Sequence, residues 1–194
     1  MTILPIRITG DPVLHRRADE VLGFDSALVD LAHDMVETMG AAPGVGLAAP
    51  QVGVGLRLFV WSYAGGARFD ARLDHEDVTG RHGVVVNPEL FVTPVAVRQP
   101  EEDCETEGCL SVPGHQFPLV RAERAVLTGV DVTGAPVHVE ARGWLARIFQ
   151  HEYDHLEGTL YVDRLAEPWA SRARGVVRGA GWGEPGQSWT PEGA

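Results

Sequence analysis

Two histidines and a glutamate between them could together perform metal-dependent chemistry. His151 and His155 are four positions apart and enclose Glu152 in the pattern H-E-x-x-H. On a helix, positions i and i+4 share a face, so both imidazoles can reach one metal ion. Glu152 lies about 100° around the helix from His151, where its carboxylate can reach a water molecule beside that ion. Two ligands and one general base are what the metal-assisted hydrolysis of an amide requires.

A catalytic metal site of this kind needs a third protein ligand, and the sequence offers two types. A pattern with a third histidine fails, because the position that should carry it is Tyr161. Carboxylates are available downstream at Glu167 and Glu184. A thiolate is available upstream at Cys109, although Cys109 and Cys104 could equally be small buried apolar residues. Residue types and spacing leave this choice open.

The periodicity of apolar residues predicts the elements that position these groups. A helix over residues 144–156 carries the H-E-x-x-H pattern, and its apolar neighbours favour a buried metal site over a chance pattern on a solvated surface. Another helix is predicted over residues 26–39. Strands are predicted at residues 56–63, 84–87, 91–97, 125–131 and 137–141. Most strands are too close together for crossover helices, so the predicted class is α+β with antiparallel sheet.

The remaining segments predict a surface loop and a tail. Residues 64–83 are polar and charged, which is typical of a long surface loop. Residues 1–165 are predicted to form the catalytic domain, followed by a C-terminal tail over residues 166–194 that is irregular or docked on the body. Trp182 and Trp189 favour docking, because free disordered tails rarely contain tryptophan.

The composition excludes several classes of function. With 194 residues and 44% apolar content, the chain fits one globular domain. It carries 16 basic and 27 acidic residues, and this net charge of −11 argues against binding nucleic acid or anionic membranes. The sequence shows neither a membrane-spanning apolar run nor a signal peptide at its start. Two cysteines are too few for a disulfide framework, so we expect a cytoplasmic protein.

Three short motifs together resemble those of the peptide deformylase family. They occur in the family's order and spread over most of residues 40–160, and together they are highly specific. The motifs are G-V-G-L-A-A-P-Q at residues 44–51, E-G-C-L-S at 107–111 and Q-H-E-Y-D-H at 150–155. The resemblance implies antiparallel β-sheets packed around a central helix that carries the H-E-x-x-H motif, in agreement with the α+β class predicted above.

The resemblance also implies a metal-binding set and a reaction. The metal ligands would be Cys109, His151 and His155. The metal would be iron(II), with Zn²⁺, Ni²⁺ or Co²⁺ able to substitute, since two imidazoles and one thiolate suit all four. The reaction would remove the formyl group from the N-terminal formylmethionine of new polypeptides and release formate. A transient association with the ribosome is an expectation of the same kind, without nucleic-acid binding by the chain itself.

Roles for further residues follow from the same resemblance. Glu152 would transfer the proton, while the Gln51 amide and the Leu110 backbone N–H would stabilise negative charge on the former formyl oxygen. Glu107 and Asp154 could orient the ligands. The substrate would be bound by Gly44, Val45, Gly46 and Ile148. The glycines would let a peptide backbone approach closely, and Val45 would line a methionine pocket.

Overall fold

The computed structural model describes residues 2–42, 44–64 and 81–191. In this part of the chain, three α-helices and nine strands are present. The helices are α1 (Ser26–Ala41), α2 (Gly143–Leu156) and α3 (Trp169–Gly179). The strands are β1 (Ile6–Arg7), β2 (Gly46–Ala48), β3 (Leu58–Tyr63), β4 (Arg81–Val92), β5 (Thr106–Gly108), β6 (Gln116–Pro118), β7 (Arg124–Val130), β8 (Pro136–Arg142) and β9 (Ser188–Trp189).

The strands form one large sheet and two small ones, all of them antiparallel. The large sheet has five strands in the order β2-β3-β4-β7-β8, β5 pairs with β6, and β1 pairs with β9. Together with the helices this arrangement confirms the predicted α+β class.

Helix α2 packs its apolar face on the large sheet. Phe149 is fully buried and meets Trp61 of β3 edge to face, with ring centroids 5.1 Å apart. Leu145, Ala146 and Leu156 of the helix belong to the same core cluster. Burying one large side chain of this kind stabilises a fold by about 2–3 kcal/mol. The opposite face of α2 is therefore fixed in place, and it carries the H-E-x-x-H residues.

The two helices predicted from periodicity are confirmed. Helix α1 begins after Asp25, whose carboxylate accepts a hydrogen bond from the Leu28 N–H at 3.1 Å and so caps the helix. It extends two residues beyond the predicted end at residue 39. Helix α2 agrees with its prediction to within one residue.

The prediction of separate strands at residues 84–87 and 91–97 is wrong. A single strand, β4, covers the first region and ends at Val92, the second residue of the other region. Its pairing with β7 shifts between Val86 and Glu89, where Asn87 adopts a positive φ of 49°. This bulge accommodates Pro88, so β4 continues beyond a residue type that normally ends a strand. Residues 65–80 of the predicted surface loop lie outside the described residues, and residues 81–83 belong to β4.

Within the predicted tail, residues 169–179 are helical, so the expectation of irregular structure is wrong there. Ala173 is buried and Val176 packs against the same cluster, which includes Leu160 and Tyr161. Further on, β9 pairs with β1. The division of the chain at residue 165 stays a prediction. No helix in the described ranges has the length and apolar character needed to span a membrane.

Candidate metal-dependent active site

Three potential metal ligands come together from two elements. Helix α2 supplies His151 and His155, while Cys109 directly follows β5. One donor atom from each residue lies within 4.8 Å of the others, and the Cys109 Sγ is 3.3 Å from the His155 Nε2. Cys109 and His155 are buried, and the His151 side chain is 11% exposed. A thiolate and two imidazoles at this spacing suit a borderline or soft transition metal rather than Mg²⁺ or Ca²⁺.

A cavity of about 890 Å³ is lined by two of these residues, Cys109 and His151. The residues predicted to bind substrate all line it: Gly44, Val45, Gly46 and Ile148. Val45 is 47% exposed, so its side chain is accessible to a ligand, whereas Ile148 is 3% exposed and also belongs to the core beneath α2. The space is large enough for several residues of an extended peptide.

Glu152 is buried beside the cavity, and its environment suits a proton carrier. Its Oε2 atom has no hydrogen-bond partner among the described residues. Burial raises the pKa of this carboxyl to about 7, and the charged groups nearby only partly oppose that effect. A carboxyl with a pKa near neutrality can both accept and return a proton.

Gly46 makes room for this glutamate. A Cβ atom at position 46 would overlap the Glu152 carboxylate. Strand β2 can therefore lie directly against α2 only because residue 46 has no side chain. This close packing is a structural reason for the glycine that is independent of any contact with substrate.

Gln51 points its amide nitrogen toward the donor group. Its Oε1 accepts a hydrogen bond from the Ala48 N–H at 2.9 Å, so the other end of the amide must be the NH₂ group. The Nε2 atom lies 3.6 Å from the Cys109 Sγ and 3.3 Å from the Ser111 Oγ. With the side chain buried and held at both ends, the N–H donors are aimed at the site.

A tight turn after β5 positions Cys109. The Val112 N–H donates to the Cys109 carbonyl at 2.9 Å, and the Ser111 N–H donates to the Cys109 Sγ at 3.4 Å. Both bonds fix the position of the sulfur, and the thiolate is the form of cysteine that binds metals. Leu110 lies between these residues and lines the cavity.

Glu107 orients His151. The Nδ1 of His151 lies 3.0 Å from the Glu107 Oε2, and since an ionised carboxylate can only accept, Nδ1 is the protonated nitrogen. The Nε2 lone pair is therefore free for a metal. Burial alone would raise the pKa of Glu107, but Arg121 overcomes this effect and holds the pKa well below its usual range. Arg147 adds a further hydrogen bond at 2.7 Å.

Asp154 extends this ionic network along the polar side of α2. Its carboxylate accepts hydrogen bonds from the Arg121 and Arg164 guanidinium groups, each at 2.6 Å. Arg121 thus bridges Glu107 and Asp154, and all three side chains are at most 8% exposed.

His155 lies nearby, and burial lowers the pKa of its imidazole well below its usual value, which keeps it neutral as a ligand must be.

Sequence reasoning identified Glu107 and Asp154 as orienting groups but missed the arginines that hold them. Arg121 and Arg147 are far from their partners along the chain, and no local pattern marks them.

The alternative carboxylate ligands are elsewhere: Glu167 is an exposed side chain paired with Arg174, and Glu184 is exposed. Among the described residues, neither belongs to a group that could hold a metal.

Comparison with known proteins gives a consistent result. The sequence model of the polypeptide deformylase family matches residues 3–170. The chain is 47% identical over 201 residues to the peptide deformylase of Tropheryma whipplei, strain TW08/27, which covers 98% of this chain and 94% of that protein. It is 48% identical over 195 residues to the peptide deformylase of Rhodococcus opacus, again covering 98% of this chain and 94% of the relative.

Solved structures agree with the sequence comparison. The crystal structure of peptide deformylase from Ehrlichia chaffeensis superposes with a TM-score of 0.78 at 31% identity, covering 93% of this chain and 96% of that one. The enzyme from Thermus thermophilus gives a TM-score of 0.73 at 40% identity, covering 91% and 94%. With the family match spanning most of its length and near-full-length relatives at almost half identity, the chain belongs to the polypeptide deformylase family.

Proposed function

We propose that the protein hydrolyses the N-formyl group of N-terminal formylmethionine on new polypeptides, using one divalent metal ion held by Cys109, His151 and His155. The observation that carries this proposal is the convergence of three donor atoms within 4.8 Å of one another, at the same cavity as a buried glutamate. The Glu152 Oε2, which has no partner among the described residues, is the proton acceptor that such a hydrolase needs.

The ion, when bound, would polarise the formyl carbonyl and lower the pKa of a water molecule. The chain's own contribution to proton transfer comes from Glu152. In its ionised form the carboxylate accepts a proton from the attacking water, and it then returns this proton to the departing amide nitrogen. A pKa near 7 suits both steps, because neither transfer is then strongly uphill.

Gln51 and Leu110 stabilise the charge that develops on the formyl oxygen. The Gln51 amide is fixed by its hydrogen bond from Ala48, so its N–H groups are oriented before the reaction begins. The Leu110 backbone N–H follows the ligand Cys109 directly in the chain. Fixed donors cost no reorganisation when charge appears, and removing one such donor from other hydrolases costs about 10²- to 10³-fold in rate.

The substrate peptide lies against the wall formed by residues 44–46. Gly44 and Gly46 have no side chains, so a peptide can approach the backbone of this wall closely enough to form main-chain hydrogen bonds. The exposed side chain of Val45 lines the pocket for the methionine side chain. Ile148, which contributes to the same cavity from α2, makes a smaller contact because little of it is accessible.

We propose iron(II) as the resident metal, with Zn²⁺, Ni²⁺ or Co²⁺ able to substitute for it. A thiolate with two imidazoles binds all four ions, and family membership favours iron. We also propose a cytoplasmic location and a transient association with the ribosome, where formylated chains emerge. The net charge of −11 supports an association that does not depend on binding ribosomal RNA.

The decisive experiment measures formate released from a short formylmethionyl peptide by protein purified without oxygen, together with its metal content. We expect turnover with about one metal ion per chain, and loss of both in Cys109→Ala. Cys104→Ala is the matched control, since Cys104 is the chain's other cysteine and is exposed. Retention of metal in Cys109→Ala would contradict the ligand set. Absence of turnover in a fully loaded protein would contradict the reaction.

A further inference from the structure

The C-terminal segment reaches the metal site through a single tryptophan. Trp189 lies in β9, beyond the residues matched by the family model, and it is half-buried at the wall of the cavity. Its indole Nε1–H donates a hydrogen bond to the Leu110 carbonyl oxygen at 2.8 Å. This bond spans 79 positions of the chain and ends on the turn that holds Cys109.

The carbonyl held by Trp189 belongs to the same peptide group as the Ser111 N–H. A trans peptide group is planar and rigid, and its C=O and N–H point in opposite directions. A donor that fixes the carbonyl oxygen on one side therefore fixes the direction of the N–H on the other. That N–H points at the Cys109 Sγ, 3.4 Å away. The indole of Trp189 and the sulfur of Cys109 thus lie at opposite ends of one rigid unit.

The position of Trp189 is itself fixed by the N-terminal strand. Strand β9 pairs with β1, with Trp189 opposite Ile6. The next residues of the N-terminal segment continue the attachment, since the Ile8 N–H donates to the Gln187 carbonyl at 3.0 Å. The Thr9 N–H donates to the Ser111 carbonyl at 2.9 Å. The N-terminal segment therefore binds both the tail and the turn that carries Cys109.

Close packing earlier in the tail, before β9, supports this attachment. The Gly183 N–H donates to the Thr9 carbonyl at 3.2 Å. Gly10 has a φ of +102°, and a Cβ atom there would overlap the backbone of Gly183. Because Gly10 has no side chain, the tail can lie directly against the N-terminal segment a few residues before β9 begins.

We propose that Trp189 is a positioning residue of the metal site: it holds the Leu110–Ser111 peptide so that the Ser111 N–H donates to the Cys109 sulfur. The inference rests on the proposed role of Cys109 as a metal ligand. A hydrogen bond to a ligating thiolate withdraws electron density from the sulfur and so weakens its donation to the metal. Because the Leu110–Ser111 peptide is held in place, the adjacent Leu110 N–H also has less freedom to move. Trp189 therefore acts on both the ion and the charge-stabilising donor without reacting itself.

The test uses the cobalt-loaded protein, in which a cysteine ligand gives a sulfur-to-cobalt charge-transfer band in the near ultraviolet. Trp189→Phe keeps an aromatic ring but removes the donor. We expect the band to move to lower energy, because a sulfur without its full hydrogen bond gives up an electron more easily. We also expect kcat to fall about tenfold with KM changed much less. Trp182→Phe is the matched control, since Trp182 lies in the same tail but packs against the His115 ring.

Different outcomes distinguish the inference from the proposed function. A band in Trp189→Phe that coincides with those of the wild type and Trp182→Phe would overturn the role of Trp189. A wild-type protein with no sulfur-to-cobalt band would instead overturn Cys109 as a ligand. If Trp189→Phe does not fold, benzothienylalanine at position 189 keeps the bicyclic ring and lacks only the N–H. The same band shift is expected there, and an unchanged band would again overturn the proposal.

Discussion

Two glutamates in the same site, buried to almost the same extent, have opposite electrostatic environments. Glu107 is 4% exposed and lies among guanidinium groups from Arg121 and Arg147, so its pKa is lowered. Glu152 is 3% exposed and lies against the glycine-rich wall of the cavity, so burial raises its pKa to about 7. Burial alone therefore does not decide what a carboxyl group does. The surrounding partners make one glutamate a permanent anion and leave the other able to exchange a proton.

The largest effect is expected from Glu152→Gln, which removes the proton carrier but keeps nearly the same shape. Turnover of a formylmethionyl peptide should fall by about 10²- to 10⁴-fold, the usual contribution of a general base. Metal content, measured on the same preparation, should stay near one ion per chain because Glu152 is not a proposed ligand. Loss of the metal together with activity would show that Glu152 supports the ion rather than the proton.

Glu107→Gln, in contrast to Glu152→Gln, should lower both the stability of the protein and its affinity for the metal. Removing the charge leaves Arg121 and Arg147 buried with less compensation, which should lower the free energy of unfolding by about 3–5 kcal/mol. Metal affinity should fall by about 10- to 100-fold, because His151 loses its charged hydrogen-bond acceptor. Denaturant unfolding and competition with a chelator measure the two quantities. The control is Glu140→Gln, whose carboxylate is 82% exposed. If both variants behave alike, the ionic network has no special role.

The pH dependence of the reaction should follow Glu152 rather than Glu107. The base acts as a carboxylate, so protonation below its pKa stops it, and kcat/KM should fall about tenfold per unit on the acidic side. The inflection is expected at or below a pH of about 7, since a bound cation favours the carboxylate. Metal content must be verified at each pH, because acid also releases metals. A flat profile between about pH 5 and 8 in fully loaded protein would contradict the assignment.

The smallest effect is expected at Arg164, the exposed arginine of the ionic network around Asp154. Arg164→Ala removes two hydrogen bonds to Asp154, but Arg164 is 47% exposed and Asp154 keeps its bond from Arg121. The free energy of unfolding should fall by about 1 kcal/mol, with little change in metal affinity. Arg174→Ala is the comparison, since its ion pair with Glu167 is exposed on both sides and should contribute almost nothing. Urea midpoints of the two variants would separate these expectations.

Local patterns were sufficient for the helices that position the site. Helix α2 has a strong apolar stripe that must face a core, so periodicity predicts it to within a residue. Strand β4 was predicted as two strands, and only the pairing with β7 shows that a bulge accommodates Pro88 within a single strand. Residues 93–97 include three β-branched side chains but do not belong to a strand, and Val97 is fully exposed.

The cluster of Cys109, His151 and His155 was recognisable from motifs, whereas the arginines that hold Glu107 and Asp154 beside it were not. His151 and His155 are four positions apart on one helix, so their proximity follows from local geometry. Arg121 reaches Glu107 and Asp154 across separations of 14 and 33 positions, which only the folded sheet brings together. The way the tail is attached could not be read from local patterns either, because it depends on pairing between β1 and β9.

The packing of Gly46 against Glu152 has a consequence for how random variation in this protein is interpreted. Gly46 carries no group that reacts, yet any larger residue there would displace the carboxylate next to it. In a library of all single substitutions scored for survival, position 46 should therefore tolerate almost as few replacements as position 152. Such a screen would rank the two as equally essential, one for the proton transfer proposed for it and the other for the volume it leaves empty.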